Sequence, residues 1–510
     1  MAIRPAAPQA RPLTGLASLL GIRLDHFSHN DIGFTTGVTL DSRAVRPGDL
    51  YVALPGSRVH GATFCADAVA AGAVAVLTDP DGRAVCARAG VPVFVVSDPR
   101  ARLGEVACWV YGDASARFGL IGVTGTSGKT TTSFLLDAGL RMAGHQTGLI
   151  GGVETRVGSE VLGSSLTTPE APDLQALFAV MAERGVTAAA MEVSSHALAL
   201  GRVAGTHFDV AVFTNLSQDH LDFHPDMESY FRAKARLFVP PVIGVVNADD
   251  RFGRRLASMA EVPITTFSAA GREDADWRAL DVRSGADGST FRIVGPGGVE
   301  ADGSIGLAGV FNVANALGAV VALVEAGVRL EDAVAGIAEC PGVPGRLERV
   351  PGPGADFTAF VDYSHKPGAV EAVLRSLRPV TAGRLVIVLG CGGDRDRGKR
   401  PLMGAAAAAL ADVAILTSDN PRSEDPLMIL DAMLDGVLSV PADERARVVV
   451  EPDRAAAISY AVRLAGPGDV IVVAGKGHET GQYVDGRVLP FDDRAATRTA
   501  FEQLTQAVHA

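Results

Sequence analysis

Short apolar runs alternate with stretches of helical spacing along most of the chain. In the first hundred residues, Asp49-Leu-Tyr-Val-Ala-Leu54, Ala73-Val-Ala-Val-Leu77 and Val93-Phe-Val-Val96 read as strands, with a helix over Ala66 to Ala71. From about residue 114 the pattern strengthens. Leu120-Ile-Gly-Val-Thr124 is a buried-type strand, and Thr130 to Met142 follows with helical spacing. Strands are then expected at Ala188 to Glu192, Val210 to Thr214 and Ile243 to Val246, and a Gly/Asp-rich stretch near 282 to 304 reads as antiparallel and loop-rich. Beyond Pro341-Gly-Val-Pro-Gly345, which reads as a hinge, a second set begins. Its strands are Ala359 to Asp362, Leu385 to Leu389, Val413 to Thr417, Val448 to Val450 and Val470 to Val473. Alternating strands and helices predict α/β architecture with mostly parallel sheets covered on both faces.

A chain of 510 residues is too long for one hydrophobic core, so several domains are expected. Net charge −12 argues against a broad nucleic-acid or anionic-membrane surface, but not against anionic small substrates. The five cysteines (Cys65, Cys86, Cys108, Cys340, Cys391) form no CxxC pair and suggest a reducing compartment. No apolar run reaches the length of a membrane span, and the first residues, MAIRPAAPQARPL, lack the apolar core of a secretory signal and read as a loose tail. A cytoplasmic protein is expected.

Polar, glycine-rich clusters follow the strands, and in open α/β sheets ligands bind outside the carboxyl ends of strands. Gly125-Thr-Ser-Gly-Lys-Thr-Thr131 lies between a strand and a helix. Backbone N–H groups of such a loop point at phosphate oxygens, Lys129 would reach the β/γ-phosphates, and the Thr130 hydroxyl would hold Mg²⁺. The strict GxxxxGK[ST] pattern is not met, because position 123 is Val and Gly122 lies one place early. The bland alternative is a glycine turn capping a helix. Glu192 ends a strand and could face the same Mg²⁺. His220 and His224 form an HxxxH pair without the Glu of HExxH, and spacing alone favours a turn histidine over a ligand. Spacing likewise favours a solvated helix lysine for Lys234. Near the C-terminus, Arg395, Arg397, Lys399 and Arg400 crowd a glycine-rich loop, Arg422 follows Asp419-Asn-Pro421, and Glu479 closes Gly475-Lys-Gly-His-Glu. Guanidinium groups suit carboxylates and a carboxylate suits an ammonium, so these clusters fit either an amino acid or a surface ion-pair network.

Taken together, these clusters resemble the Mur ligases. The markers run in family order: Leu40-Asp-Ser-Arg43, the GTSGKTT loop, Leu166-Thr-Thr-Pro169, Met191 to His196, Asn215 to His220, Gly309 to Asn315, Pro344 to Glu348, Asp362 to Pro367, the run from Gly390, Asp419 to Arg422 and Gly475 to Glu479. The resemblance implies an N-terminal UDP-substrate domain (14–113), a central ATP-binding, P-loop ATPase-like domain (114–345) and a C-terminal Rossmann-like amino-acid domain (346–510). It implies an ATP- and Mg²⁺-dependent ligase that joins meso-diaminopimelate to UDP-MurNAc-L-Ala-D-Glu through an acyl phosphate, as a monomer with no nucleic-acid or membrane partner. Leu40, Ser42, Ser57, Arg58, Val59, Thr167, Thr168, Ser194 and Arg202 match positions that hold the UDP-muramyl dipeptide; family members often have Gln where this chain has Leu200. Gly125 to Thr131, Asn312, Arg346 and Asp362 match ATP positions. Arg395, Asp419, Asn420, Pro421, Arg422, Gly475 and Glu479 match the diaminopimelate pocket. Lys129, Glu192, His220 and Lys234 match catalytic positions, with Lys234 carbamylated so that it joins Thr130, Glu192 and His220 around metal. The rival expectations are a lysine-adding Mur ligase, a folylpolyglutamate synthetase and a P-loop regulatory protein.

Overall fold

A computed structural model describes residues 3–22, 33–56, 58–163 and 166–509. The chain divides into two compact units. The first comprises Met1–Phe267, Asp274–Asp276 and Gly318–Gly336; the second comprises Ser268–Glu273, Trp277–Leu317 and Ile337–Ala510.

The first unit carries two sheets. A parallel four-stranded sheet runs in the order Gly37–Thr39, Asp49–Ala53, Ala75–Thr78, Val93–Val95. The larger sheet runs Glu160–Leu162, Thr155–Val157, Thr147–Ile150, Ala188–Glu192, Gly119–Thr124, Val210–Phe213, Ile243–Asn247, Ile264–Ser268. Its first three strands pair antiparallel and the rest are parallel. Strand Ala188–Glu192 is buried along its whole length, as a doubly covered parallel strand must be. Its small residues keep the layers close. Phe208 fills the space where Gly122 lacks a side chain, and Gly336 rests on the backbone of Gly139 in helix Lys129–Met142. Strand Gly119–Thr124 lies between Ala188–Glu192 and Val210–Phe213. The chain leaves it to one side first and later crosses to the other. That reversal of winding opens a crevice at the carboxyl ends of these strands.

The N-terminal segment corrects one expectation. It is strapped down, not loose. Arg4 donates to Val38 O at 2.9 Å and pairs with Asp49 at 3.2 Å, and the Ala6 and Ala7 N–H groups donate to the Glu183 carboxylate at 2.8 and 2.9 Å. Paired charges and anchored backbone donors hold a stretch whose composition looks unstructured.

The second unit holds an antiparallel meander, Trp277–Gly285, Gly288–Val294 and Glu300–Ile305, in the Gly/Asp-rich stretch where one was expected. Its main sheet runs Glu348–Val350, Thr358–Asp362, Val470–Ala474, Leu385–Leu389, Val413–Leu416, Arg447–Val450. Only the first pair is antiparallel. Strand Val470–Ala474 is central, so the clusters after residues 362, 389, 416 and 474 share one sheet edge. No helix among the described residues is long and apolar enough to cross a membrane.

Candidate functional site

The loop after Gly119–Thr124 is held by backbone geometry. Gly125 and Gly128 adopt φ of 151° and 89°, values that side chains oppose. A Cβ on Gly125 would meet Thr214 Oγ1 at 1.9 Å. Thr214 donates to Ser127 O at 2.7 Å, and the Asn215 amide brackets Ser127, accepting from its N–H at 3.0 Å and donating to its carbonyl at 3.1 Å. Gly128 caps helix Lys129–Met142, leaving the helix N-terminus beneath the loop. Lys129 Nζ curls back onto Gly125 O at 2.8 Å and Thr126 O at 3.0 Å. Asn215 and Thr214 frame the loop although the glycine pattern alone gives them no role there.

Thr130 donates to Glu192 Oε2 at 3.1 Å, and Gly152 N–H donates to Glu192 Oε1 at 2.9 Å. A hydroxyl beside a buried carboxylate is a hard-oxygen pair of the kind that suits Mg²⁺. Among the described residues no three His, Cys, Asp or Glu side chains converge as a metal cluster. His220 stands in the left-handed region, φ 53°, 3.0 Å from the Asp219 carboxylate.

Lys234 is not a solvated helix lysine. It is 1% exposed and donates to Gly125 O at 2.8 Å, a backbone oxygen of the phosphate loop it shares with Lys129. Tyr230, one turn earlier on helix Met227–Ala235, ties this corner together. Its hydroxyl lies 3.0 Å from Thr126 Oγ1, Lys234 Nζ stands 4.7 Å from its ring centroid, and the His220 ring lies at 6.0 Å. Tyr230 escaped the sequence reading because an aromatic at helical spacing signals core packing. Burial pushes its phenol well above the ordinary range.

The neighbouring residues expected at the dipeptide form a second cluster. Thr168 Oγ1 donates to Glu192 O at 2.9 Å and accepts from Ser194 N–H at 3.1 Å, while Ser194 caps helix Ser195–Ala199 through Ala197 N–H at 3.2 Å. Arg202 donates to Thr168 O at 3.3 Å and pairs with Glu170 at 2.9 Å. Thr167 borders Gly152. The first sheet carries Leu40 and Ser42 after strand Gly37–Thr39, with Arg58 and Val59 exposed; Ser57 lies outside the described residues.

Asn312, Arg346 and Asp362 belong to the second unit. Asn312 donates to Ala308 O at 2.7 Å and accepts from Asn315 at 2.8 Å. The Arg346 guanidinium stacks 4.4 Å from the Tyr363 centroid, and Asp362 accepts from the Leu347 and Ser364 N–H groups, both at 2.8 Å.

At the carboxyl edge of the same sheet, Asn420 donates to Glu479 Oε2 at 2.9 Å. Asp419 is buried, and desolvation holds its carboxyl above the usual range despite the opposing pull of Arg454 and Lys476. Gly475 admits it: a Cβ there would sit 2.5 Å from Asp419 Oδ2. Pro421 is buried, and its carbonyl packs on Gly393. Arg422 has φ 56°, donates from Nη1 to Gly393 O at 2.6 Å, and is half-buried. Arg395 is exposed beside Gly392. The other basic residues of the glycine-rich run are engaged elsewhere. Arg400 and Arg397 pair with Glu424 at 2.8 and 3.3 Å, and Lys399 donates to His365 O at 2.9 Å. Hydrogen bonds from Arg400 hold the Glu424 carboxyl at about 2.

Fold and loop together define an α/β protein of the phosphate-loop class, with a second polar cluster at the edge of another sheet. Residues 35–111, 123–323 and 345–477 match the Mur ligase catalytic, middle and glutamate ligase domains. The chain is 59% identical over 502 residues to the UDP-N-acetylmuramoyl-L-alanyl-D-glutamate–2,6-diaminopimelate ligase of Streptomyces avermitilis, covering 98% of each chain. It is 58% identical to the protein of the same name from Streptomyces coelicolor, again over 98% of each. A solved structure of a ligase with that name superposes with TM-score 0.69 at 33% identity, covering 98% of this chain and all of the other. The chain belongs to the Mur ligase family, and its three family domains bear out the expected α/β ligase fold.

Proposed function

We propose that this ligase joins meso-diaminopimelate to UDP-MurNAc-L-Ala-D-Glu with hydrolysis of ATP to ADP and phosphate, a step in building peptidoglycan. One observation carries the reading: a formed phosphate loop, with Thr130 against Glu192, in a chain 59% identical end to end to a ligase of that name.

In this reading the D-glutamyl γ-carboxylate attacks the ATP γ-phosphate, ADP leaves, and the amine then displaces phosphate from the acyl carbon. Both partners of the first step are anionic, so charge neutralisation and positioning dominate. The loop N–H groups and Lys129 hold the phosphates; Lys129 exchanges its backbone carbonyl partners for them. Asn312, Arg346 and Asp362 hold the rest of the nucleotide. Thr130 and Glu192 would hold Mg²⁺, which when bound would supply Lewis-acid polarisation of the phosphoryl oxygens. Lys234, buried against the loop, would react as the neutral amine with CO₂, forming an N–C bond and releasing a proton, to give a carbamate anion that with His220 would serve as a metal ligand. Thr167, Thr168, Ser194 and Arg202 hold the dipeptide, and Leu40, Ser42, Ser57, Arg58 and Val59 hold the UDP end. Arg395, Asp419 to Arg422, Gly475 and Glu479 hold the amino acid. The domains are taken as 14–113, 114–345 and 346–510, and the enzyme as a cytoplasmic monomer.

The test is direct. Enzyme, ATP and UDP-dipeptide are incubated with equal diaminopimelate and lysine, and the product is weighed. The diaminopimelate adduct is expected, with phosphate release dependent on all three substrates. A lysine adduct, or phosphate release without the dipeptide, overturns the reading.

A further inference from the structure

Lys476 is the one member of the Gly475–Glu479 cluster whose side chain is fully enclosed, at 0% exposure. The backbone on either side drives it inward. Gly475 and Gly477 have φ of 117° and 54°, and neither has room for a side chain: a Cβ would lie 2.5 Å from Asp419 Oδ2 at the first and 2.8 Å from Tyr363 Cβ at the second. Lys476 Nζ donates to Asn420 Oδ1 at 2.9 Å and to Glu479 Oε2 at 3.3 Å. Asn420 Oδ1 also accepts from Tyr483 N–H at 3.0 Å. With two donors on its oxygen, the Asn420 amide has only one orientation, the one that sends Nδ2 to Glu479 Oε2 at 2.9 Å. Glu479 therefore receives Lys476 and Asn420 on one oxygen, Oε2, and the Tyr363 hydroxyl is a further hydrogen-bond partner of the same carboxylate.

We propose that Lys476 is a positioning residue for the amino-acid substrate. It acts through Asn420 and Glu479, fixing the Asn420 amide and aiming the Glu479 carboxylate at the substrate ammonium. It also offsets the charge that Asp419 and Glu479 bring to one small site. Without the lysine, Asn420 keeps only the Tyr483 N–H on its oxygen, Asp419 keeps only the pull of Arg454, and Glu479 loses the cation that fixes its direction. The inference rests on the assignment of this pocket to the amino acid.

The experiment compares Lys476→Met, Glu479→Gln and the double variant, with KM and kcat measured for each of the three substrates. Wild type comes first: if it forms no diaminopimelate adduct, the functional reading fails and the pocket loses its ligand. If it does, Lys476→Met is expected to raise KM for diaminopimelate by roughly tenfold or more, leaving KM for ATP and for the UDP-dipeptide within about twofold. In the Glu479→Gln background the same change should cost much less, because the carboxylate it aims is gone. Lys476→Gln, which keeps a donor, reads the same split should the Met variant not fold. The proposal is overturned by an unchanged diaminopimelate KM, by a uniform loss across all three substrates, or by equal effects in the two backgrounds.

Discussion

Arg454 and Asp493 form an ion pair at 2.7 Å with both side chains at 0% exposure. The Arg454 guanidinium also donates to Ser418 O at 3.2 Å and Ala474 O at 3.0 Å. Those carbonyls immediately precede the Asp419–Arg422 and Gly475–Glu479 clusters, so one buried cation staples together the strand ends from which both loops depart. Removing one partner strands a buried charge. Arg454→Met or Asp493→Ala should therefore cost about 3–5 kcal/mol. Urea unfolding followed by a probe in the second unit checks this; a loss below about 1 kcal/mol would mean that water reaches the pair.

A second stability prediction concerns acid. Desolvation, reinforced by Lys366 and Lys399, lowers the His365 imidazole to about 3. Its Nδ1 lies 2.7 Å from Tyr363 O. The unfolded chain takes up a proton near the ordinary value of 6.5 while the folded chain does not. Stability should then fall as pH drops from about 6.5 toward 3, with a slope up to ~1.4 kcal/mol per pH unit. His365 as a residue is half-buried, which reduces the slope. His365→Asn should remove this component of the pH dependence, measured as unfolding midpoints at pH 7 and 5.

Lys129→Ala should abolish most turnover, by a factor on the order of a hundred or more, because the lost charge acts on developing phosphoryl charge. The fold should survive. Lys129 contacts carbonyls of a loop already framed by Thr214 and Asn215. Near-normal turnover with a normal melting temperature would remove the phosphate-loop assignment.

Lys234→Ala should also lose activity, and short carboxylates such as formate or acetate should restore part of it by supplying the missing anion. The site is enclosed beside Gly125 and Tyr230, so the smaller acid should work better. Carbon-13 NMR of enzyme equilibrated with labelled bicarbonate should show a carbamate signal that this variant lacks. Absence of that signal in the wild type with nucleotide bound would end the carbamate proposal.

How much of this was legible in sequence depended on whether a side chain's environment is local. The parallel strands were legible because burial on both faces writes a continuous apolar run: Ala188–Glu192 and Leu385–Leu389 fall where expected. The phosphate loop was legible because Gly125 and Gly128 satisfy a local backbone demand. Spacing alone misread Lys234, since its partner lies 109 residues away and its helix looks amphipathic; only the family resemblance singled it out. Arg4 failed for the same reason: Asp49 folds onto a segment whose composition resembles a tail. For Arg400 the spacing left a pocket cation and an ion-pair network both open, and its pairing with Glu424 is of the second kind. Lys476 sat inside a motif already noted, yet spacing cannot tell which residue of a glycine-rich loop turns inward.

The choice between diaminopimelate and lysine turns on Arg422. The two amino acids differ by one carboxylate, and mere room for that group would discriminate weakly. Arg422 offers more than room. Its backbone is fixed by the Gly481–Val484 strand, accepting from Asp485 N–H at 2.7 Å and donating to Tyr483 O at 2.9 Å. Its Nη1 is anchored on Gly393 O at 2.6 Å, which holds the guanidinium beside the glycine loop. A carboxylate gripped there gains charge-assisted hydrogen bonds that lysine cannot make, worth about 1.5–3 kcal/mol, or roughly a ten- to hundredfold preference. The side chain is half-buried, so water can replace a missing partner in part, and the upper end of that range is the less expected. Arg422→Ala should lower kcat/KM for diaminopimelate by about that factor and for lysine by only a few-fold. The left-handed backbone, φ 56°, persists in the Ala variant because the hairpin hydrogen bonds impose it. A changed loop would instead harm both substrates alike. Equal losses for the two amino acids would therefore show that Arg422 shapes the loop and does not read the carboxylate, and the preference for diaminopimelate would need another residue to carry it.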